Sequence, residues 1–502
     1  MEFLDPKKHK THMIRLFVGY FLIATALVLT TVILLYQAYG FGIKNGQVIQ
    51  NGLIFMSSTP DAASIYVNGA LRSERTDVRL LMPAGQSTFE LKREGYNTWK
   101  RAVNVEGGTV ARFDYPLLIP SKLTPVAVKK YAVKPTMATQ SPDRRWILVQ
   151  AAAAFNTFEV FDLTKADKEP VTLTLPETVS TLSGVHSWKP IEWSTDNSHV
   201  LLQHAAFTKD GKAATEYILV DRESPEKSVN ITAVLAVNPT ELHFQDKKFD
   251  KFFVYTGGDK KLSTASLAQP KLQPFLNDVL DFKVYGSDVA LYATASGAPE
   301  GKVLIKLQEG QNSYTIRQVA AEGPYMLEIA KYDGNWFAVA GASSEGRTYI
   351  YKNPQEALRT NPTFALVPIQ VFKGIKPQYV SFSENTRFIV AQNGLQFATY
   401  DAEAQRSYAY DLKDPIDSPQ TYVDWADGNH LTYVSGNKQI LFDYDNTNHQ
   451  TLGTSDPLFK SALDRDAKNF YSLATQTAKD GEGKDITQYV LSATPLRTTA
   501  DR

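Results

Sequence analysis

The sequence predicts a mainly β chain hung on one N-terminal helix, and three observations carry that reading. Residues 16–36 run for 21 positions without a charge, and no other stretch of the 502 residues is as long and as apolar. Tyr and Phe number 25 and 26, and Val, Ile and Thr are frequent, a composition that favours strands over helices. Beyond residue 140, short polar turns with an acidic residue keep recurring ahead of apolar β-forming runs.

The helix comes first. At about 1.5 Å of rise per residue, residues 16–36 cross a hydrocarbon core of roughly 30 Å. Lys7, Lys8, Lys10 and Arg15 precede the stretch, and the next basic residue is Lys44. The positive-inside rule makes 1–15 a cytoplasmic basic tail and 16–39 a signal anchor whose partner is the lipid bilayer. Everything after Gly40 is then extracytoplasmic, in a single-pass cell-membrane protein. A cleaved signal peptide is the competing reading, with Ala38-Tyr39-Gly40 as its cleavage tripeptide. The apolar core of a signal peptide runs about 7–15 residues, and this one is longer.

Composition narrows the chemistry. Lys plus Arg and Asp plus Glu both total 53, so there is no electrostatic footprint for nucleic acid. With no cysteine, the chain has no disulfide, thiolate zinc site, iron–sulfur cluster or cysteine nucleophile, and its stability comes from ordinary cores.

After the helix, 40–51 reads as a short polar tether and 52–119 as a small sheet module. Leu53-Ile54-Phe55-Met56 is an apolar strand, and Ile65-Tyr66-Val67 is closed by the hairpin signal Asn68-Gly69. Leu80-Leu81-Met82 leads into Pro83-Ala84-Gly85. Phe89 and Leu91 alternate with polar residues, Gly95-Tyr96 follows, and Val103, Val105 and 110–118 complete about 65 residues of antiparallel sheet.

Ser58-Thr59-Pro60-Asp61-Ala62-Ala63, Asn68-Gly69, Pro83-Ala84-Gly85 and Gly95-Tyr96 stand in the order of the PEGA domain, which this segment resembles. Ala62 takes the Gly position of the naming tetrad. The resemblance implies a small extracytoplasmic β-sandwich beside a membrane anchor in a prokaryotic envelope, without catalytic residues.

Residues 120–135 read as a connector able to donate a strand over 126–133. The repeat then takes over. Ser141-Pro142-Asp143 precedes Trp146-Ile147-Leu148-Val149; Trp193-Ser194-Thr195-Asp196 precedes Val200-Leu201-Leu202; Phe244-Gln245-Asp246 precedes Phe252-Phe253-Val254. Further units are headed by Phe282, Tyr332, Phe382, Trp425 and Leu463, which makes eight. A period of roughly 40–50 residues with this content signals a β-propeller, since one blade cannot bury both faces of its sheet. The turn resembles that of TolB-type and WD-repeat propellers. Residues 120–502 are therefore a β-propeller of about eight blades. Seven is the alternative, because the fourth unit is weak and 126–133 could complete the last. Trp193, Trp425, Phe244 and Phe382 are expected to pack between blades, and Asp196 and Asp427 to form turns.

Catalytic motifs are missing from the sequence: there is no Gly-x-Ser-x-Gly, His-Glu-x-x-His or P-loop. His199 and His204, five apart on a predicted strand, fall on opposite faces and read as surface or edge histidines. Residues 443–448 (Asp-Tyr-Asp-Asn-Thr-Asn) lack the central Gly and terminal Glu of a calcium loop and read as a tight hairpin. Asn230-Ile231-Thr232 has the form of a glycosylation sequon, and Lys260-Lys261 is a solvated turn.

The expectation is a membrane-anchored extracytoplasmic binding or scaffold protein of the cell envelope. Its partner is an envelope protein or glycan held by propeller loops, with no cofactor, metal or catalytic residue assigned. Two alternatives stay open. One is an envelope hydrolase or lyase, if carboxylates such as Asp143, Asp196, Asp246 and Asp427 converge at the channel mouth. The other is the sensing half of a membrane signalling complex.

Overall fold

A computed structural model describes residues 6–38, 40–44, 47–150, 154–165, 168–207, 213–362, 364–479 and 484–501. The chain divides into two compact units, Met1–Lys122 with Arg497–Arg502, and Leu123–Leu496.

In the first unit, helix α1 spans Pro6–Ala38. Its Lys10–Tyr36 portion is long and apolar enough to cross a membrane, and none of the apolar window is buried by protein. Thr25, Thr30 and Thr31 donate their hydroxyls to carbonyls one turn back, at 2.8 Å each, so these three hydroxyls need no water.

The expected tether at 40–51 is not loose chain. It forms strand β1 (Phe41–Lys44) and the first half of β2 (Gln47–Met56), paired antiparallel. The glycines suggested a loop, but within the hairpin Gly42 makes room for the Asn51 side chain, whose Nδ2 would lie 2.8 Å from a Cβ there.

The remaining strands are β3 (Ser64–Val67), β4 (Ala70–Arg75), β5 (Val78–Pro83), β6 (Gly85–Lys92), β7 (Trp99–Val105) and β8 (Val110–Phe113). They build two four-stranded sheets. One has the order β1-β2-β5 with β8 also on β2, and the other is β4-β3-β6-β7. Ile54, Met56, Leu80 and Met82 from the first meet Ile65, Val67, Phe89 and Leu91 from the second as a buried core. Asn68 and Gly69 both take positive φ in the β3–β4 hairpin, as their identity predicted. One expectation fails here: the module is not wholly antiparallel, because β8 runs parallel to β2. Gly107-Gly108 reads as a hairpin turn after β7, but β8 crosses to the other sheet and pairs with β2, a partner far back in the sequence that no local signal marks. Residues 497–501 also leave the expected propeller span. Asp501 accepts hydrogen bonds from Arg93 and from the Tyr96 hydroxyl (2.7 Å), within the first unit.

Among the described residues, the second unit holds eight four-stranded antiparallel sheets. Blades 1 to 7 occupy 137–174, 185–230, 241–276, 279–320, 328–373, 379–411 and 424–454. Blade 8 takes three strands from 462–495 and its fourth from β9 (Val126–Tyr131), which pairs with Asp485–Pro495. The connector thus donates its strand, and the described residues form eight blades. Second strands such as Val289–Thr294 are buried along their whole length, which is why they read as apolar runs without alternation.

Neighbouring blades share cores. Leu148 and Phe158 of blade 1 pack with Trp193 and Val200 of blade 2. Tyr471 and Leu491 of blade 8 pack with Ile147 and Phe161 of blade 1, so the ring closes. The aromatic residues expected at blade interfaces lie there. Trp193 Nε1 donates to Thr139 Oγ1 of blade 1 (3.1 Å), and Trp425 Nε1 donates to Ser381 Oγ of blade 6 (3.2 Å). Phe244 joins the core between blades 2 and 3, and Phe382 packs on that between blades 5 and 6.

Candidate binding channel

The first strands touch their neighbours between blades 1 and 2, 2 and 3, 4 and 5, and 5 and 6, which places them on the inner wall of the ring. Alternation then sends successive side chains outward between blades and inward to the axis. In blades 2 to 4 an aromatic of the first strand, Trp193, Phe244 or Phe282, joins a core between blades, and the residue before it, Glu192, His243 or Asp281, lines the axial side. Blades 2 to 6 thereby line a cavity of about 820 Å³.

Glu192, Glu241, Asp246, Asp281 and Glu328 face Lys247, Lys283 and His243 there, with Phe282, Tyr325 and Tyr379 between them. His243 Nδ1 lies 3.5 Å from Glu192 and its Nε2 3.6 Å from Glu241. Lys247 Nζ reaches Glu192 at 2.7 Å, and Lys283 Nζ reaches Glu328 at 3.2 Å. Burial alone would lower the His243 pKa, but Glu192 and Glu241 outweigh it and raise it. Burial also opposes ionisation of Glu192, yet His243 and Lys247 hold that carboxyl below its usual value. The Glu328 charge holds Lys283 protonated. Burial pushes the Glu328 carboxyl up, and Lys283 offsets this only in part. Asp281 accepts the Phe282 N–H at 2.8 Å, and burial raises its pKa as well.

The carboxylates singled out from the turns do not converge. Asp143 accepts from Ser141 and from the Arg145 N–H within its own turn. Asp196 caps the Ser198 and His199 N–H groups, and Asp427 caps those of Asn429 and His430, as turn-formers should. Only Asp246 lines the cavity. The other charged residues that line it were not named from sequence, although Glu192-Trp193 and His243-Phe244 carry the signal: a charge just before an aromatic of the first strand. The 443–448 segment is a hairpin turn between the strands Lys438–Asp443 and Gln450–Thr454.

One histidine expectation is corrected. His199 is partly exposed and hydrogen-bonds Asp196 at 2.7 Å. His204 is not at the surface but wholly buried. It stacks on Trp188 at 4.3 Å, and its Nδ1 lies 2.9 Å from Glu216. The two point to opposite faces as predicted. The face of His204 is an interior one because blade 1 covers it, and strand alternation cannot tell solvent from a neighbouring blade. Among the described residues no group of three or more His, Cys, Asp or Glu is arranged to hold a metal ion.

Solved structures similar to the chain include a eukaryotic initiation factor (11% identity, 67% of this chain and 94% of that one, TM-score 0.38). Hsv2 of Kluyveromyces lactis follows at 9% identity, 64% and 98% coverage and TM-score 0.37. The tricorn protease stands at 11% identity, 76% and 41% coverage and TM-score 0.35. Scores this low carry no argument about this chain, whose ring rests on its own eight sheets. No curated protein matches it in sequence. Residues 51–119, the small sandwich of the first unit, match the PEGA domain.

Proposed function

We propose that this is a membrane-anchored, extracytoplasmic binding or scaffold protein of the cell envelope, which takes an envelope protein or glycan at the propeller's loops and channel mouth. The observation that carries the reading is the wall of paired charges and tyrosines that five first strands turn toward one cavity. Such a wall offers fixed donors and acceptors on a rigid frame, which suits recognition. The PEGA match and the apolar helix support the envelope setting, and the basic residues before the helix support a cytoplasmic N-terminus.

The test is a pull-down with the detergent-solubilised full chain against envelope proteins and glycans, beside a Glu192→Gln, Lys283→Met variant. Retained species that the variant loses support binding at the channel. Equal capture by both places binding elsewhere. A phosphatase reporter after Arg502 tests the topology, and activity there only when it is expressed in a cytosolic format contradicts it.

A specific observation favours an envelope hydrolase or lyase as the second reading. Burial raises the pKa of Asp281, which has no ion-pair partner among the described residues of the cavity, and a carboxyl pushed upward in this way is suited to general-acid work. Turnover of a glycan panel that Asp281→Asn abolishes would move the assignment to that class.

A further inference from the structure

The outer face of the sheet β1-β2-β5/β8 is ordered by distance from the helix. Two residues separate the end of α1 at Ala38 from the start of β1 at Phe41. The Asn51 N–H donates to the Gly40 carbonyl at 2.7 Å, which fastens β2 to the helix exit. Tyr36 and Phe41 lie ring to ring at 5.1 Å at that exit. Aromatic residues of this kind collect at membrane–water interfaces.

Going up β2 from Asn51, the first outward row is Leu81–Leu53–Val110, set across three strands by the pairings Leu53↔Leu81 and Leu53↔Val110. Leu81 and Val110 are 54% and 56% exposed. The next row is Arg79–Phe55–Arg112. Both guanidinium groups lie over the Phe55 ring, at 5.2 and 4.5 Å from its centre. Just past the strand ends come Asp77 and Asp114, both exposed. At about 3.3 Å per residue the apolar row stands about 7 Å from Asn51 and the arginine row about 13 Å. The order is thus apolar, then cationic, then anionic, away from the helix exit. That is the order of environments met on leaving a bilayer with anionic headgroups.

We propose that this sheet face docks on the surface of the membrane that holds α1. The Leu81–Leu53–Val110 row sits at the headgroup boundary, and Arg79 and Arg112 pair with phosphates of anionic phospholipids. The inference rests on the membrane-anchor reading of α1. It makes the small sandwich a foot that fixes the exit of the chain, and not a free spacer.

Because the chain has no cysteine, Leu81→Cys gives a single site for a fluorophore on the full-length protein. The labelled protein is reconstituted in phosphatidylcholine nanodiscs, with or without phosphatidylglycerol, that carry a headgroup nitroxide lipid. Ser73→Cys, on exposed β4 of the other sheet, is the reference. The proposal expects strong quenching at position 81 and little at 73. It also expects about a fivefold loss of the lipid-apposed population for each of Arg79→Glu and Arg112→Glu, and a similar loss without anionic lipid. These are exposed substitutions, and an unchanged melting curve shows that the fold is kept. Equal quenching at 81 and 73, or quenching indifferent to lipid charge and to both arginines, overturns it. A Leu27→Cys label with an acyl-chain nitroxide separates the two readings. If 27 is quenched and 81 is not, the docking falls and the anchor stands; if 27 is not quenched, the anchor itself falls.

Discussion

Arg387 holds Asp401 through two parallel hydrogen bonds, Nε to Oδ1 at 2.9 Å and Nη2 to Oδ2 at 2.7 Å, with the carboxylate 1% exposed. The pair ties the start of the second strand of blade 6 to the end of its third. The same device recurs around the ring. Arg145 holds Asp162 in blade 1, His199 reaches Asp221 in blade 2, and His430 reaches Asp443 in blade 7. The charges lie too far apart in sequence to read as a motif, yet each sits at the same place in its blade.

Removing the carboxylate leaves a part-buried guanidinium whose remaining ion-pair partner among the described residues is the more exposed Glu403, at 2.6 Å. Asp401→Asn is therefore expected to destabilise the second unit by about 3 kcal/mol. Urea unfolding followed by tryptophan fluorescence measures this, and a loss below about 1 kcal/mol would place the pair among ordinary surface bridges.

His430 makes stability depend on pH. Burial works against its charge, but Asp427 at 2.8 Å and Asp443 at 3.5 Å outweigh burial and raise its pKa to about 9 from 6.5. Its contribution is therefore complete below about pH 6.5 and is lost as pH rises through about 9. Burial likewise opposes the charge of Asp427, but His430 holds that carboxyl at about 2. That contribution is present above about pH 4 and fades as pH falls toward 2. The unfolding free energy from urea titration should drop between about pH 6 and about pH 10, by on the order of 3 kcal/mol. His430→Gln should flatten the drop, and an equal drop in the variant would show that another group is responsible.

In the channel, Glu328→Gln removes the charge that keeps Lys283 protonated. The Lys283 pKa should then fall, because burial acts on it without its partner. Nitrogen-detected NMR of labelled lysine reads this directly, and an unchanged value would mean that the 3.2 Å pair does not persist in solution.

Much of the architecture was legible because it rests on local signals. The charge-free run at 16–36 marks α1, Asn68-Gly69 marks the β3–β4 hairpin, and Trp193 and Trp425 mark blade interfaces. The sequence was misleading where local cues competed with pairing partners far away. Gly40, Gly42 and Gly46 read as tether, but β2 continues backward through Val48 to pair with β1. The channel was missed because its residues are scattered single charges, Glu192, His243, Lys283 and Glu328, which gather only when the ring closes.

Ring closure through β9 is the claim on which the channel depends, and it can be tested by chemistry. Val126 lies opposite Ala493 across the seam between β9 and the last strand of blade 8. With no other cysteine in the chain, Val126→Cys with Ala493→Cys should form an intramolecular disulfide on mild oxidation, since directly paired strand positions bring Cβ atoms to about 5 Å. A quantitative mobility shift on non-reducing gels, reversed by reductant and unaffected by dilution, is the result predicted. Thiols that stay free, or crosslinks that appear only between chains, would contradict a ring closed in this way.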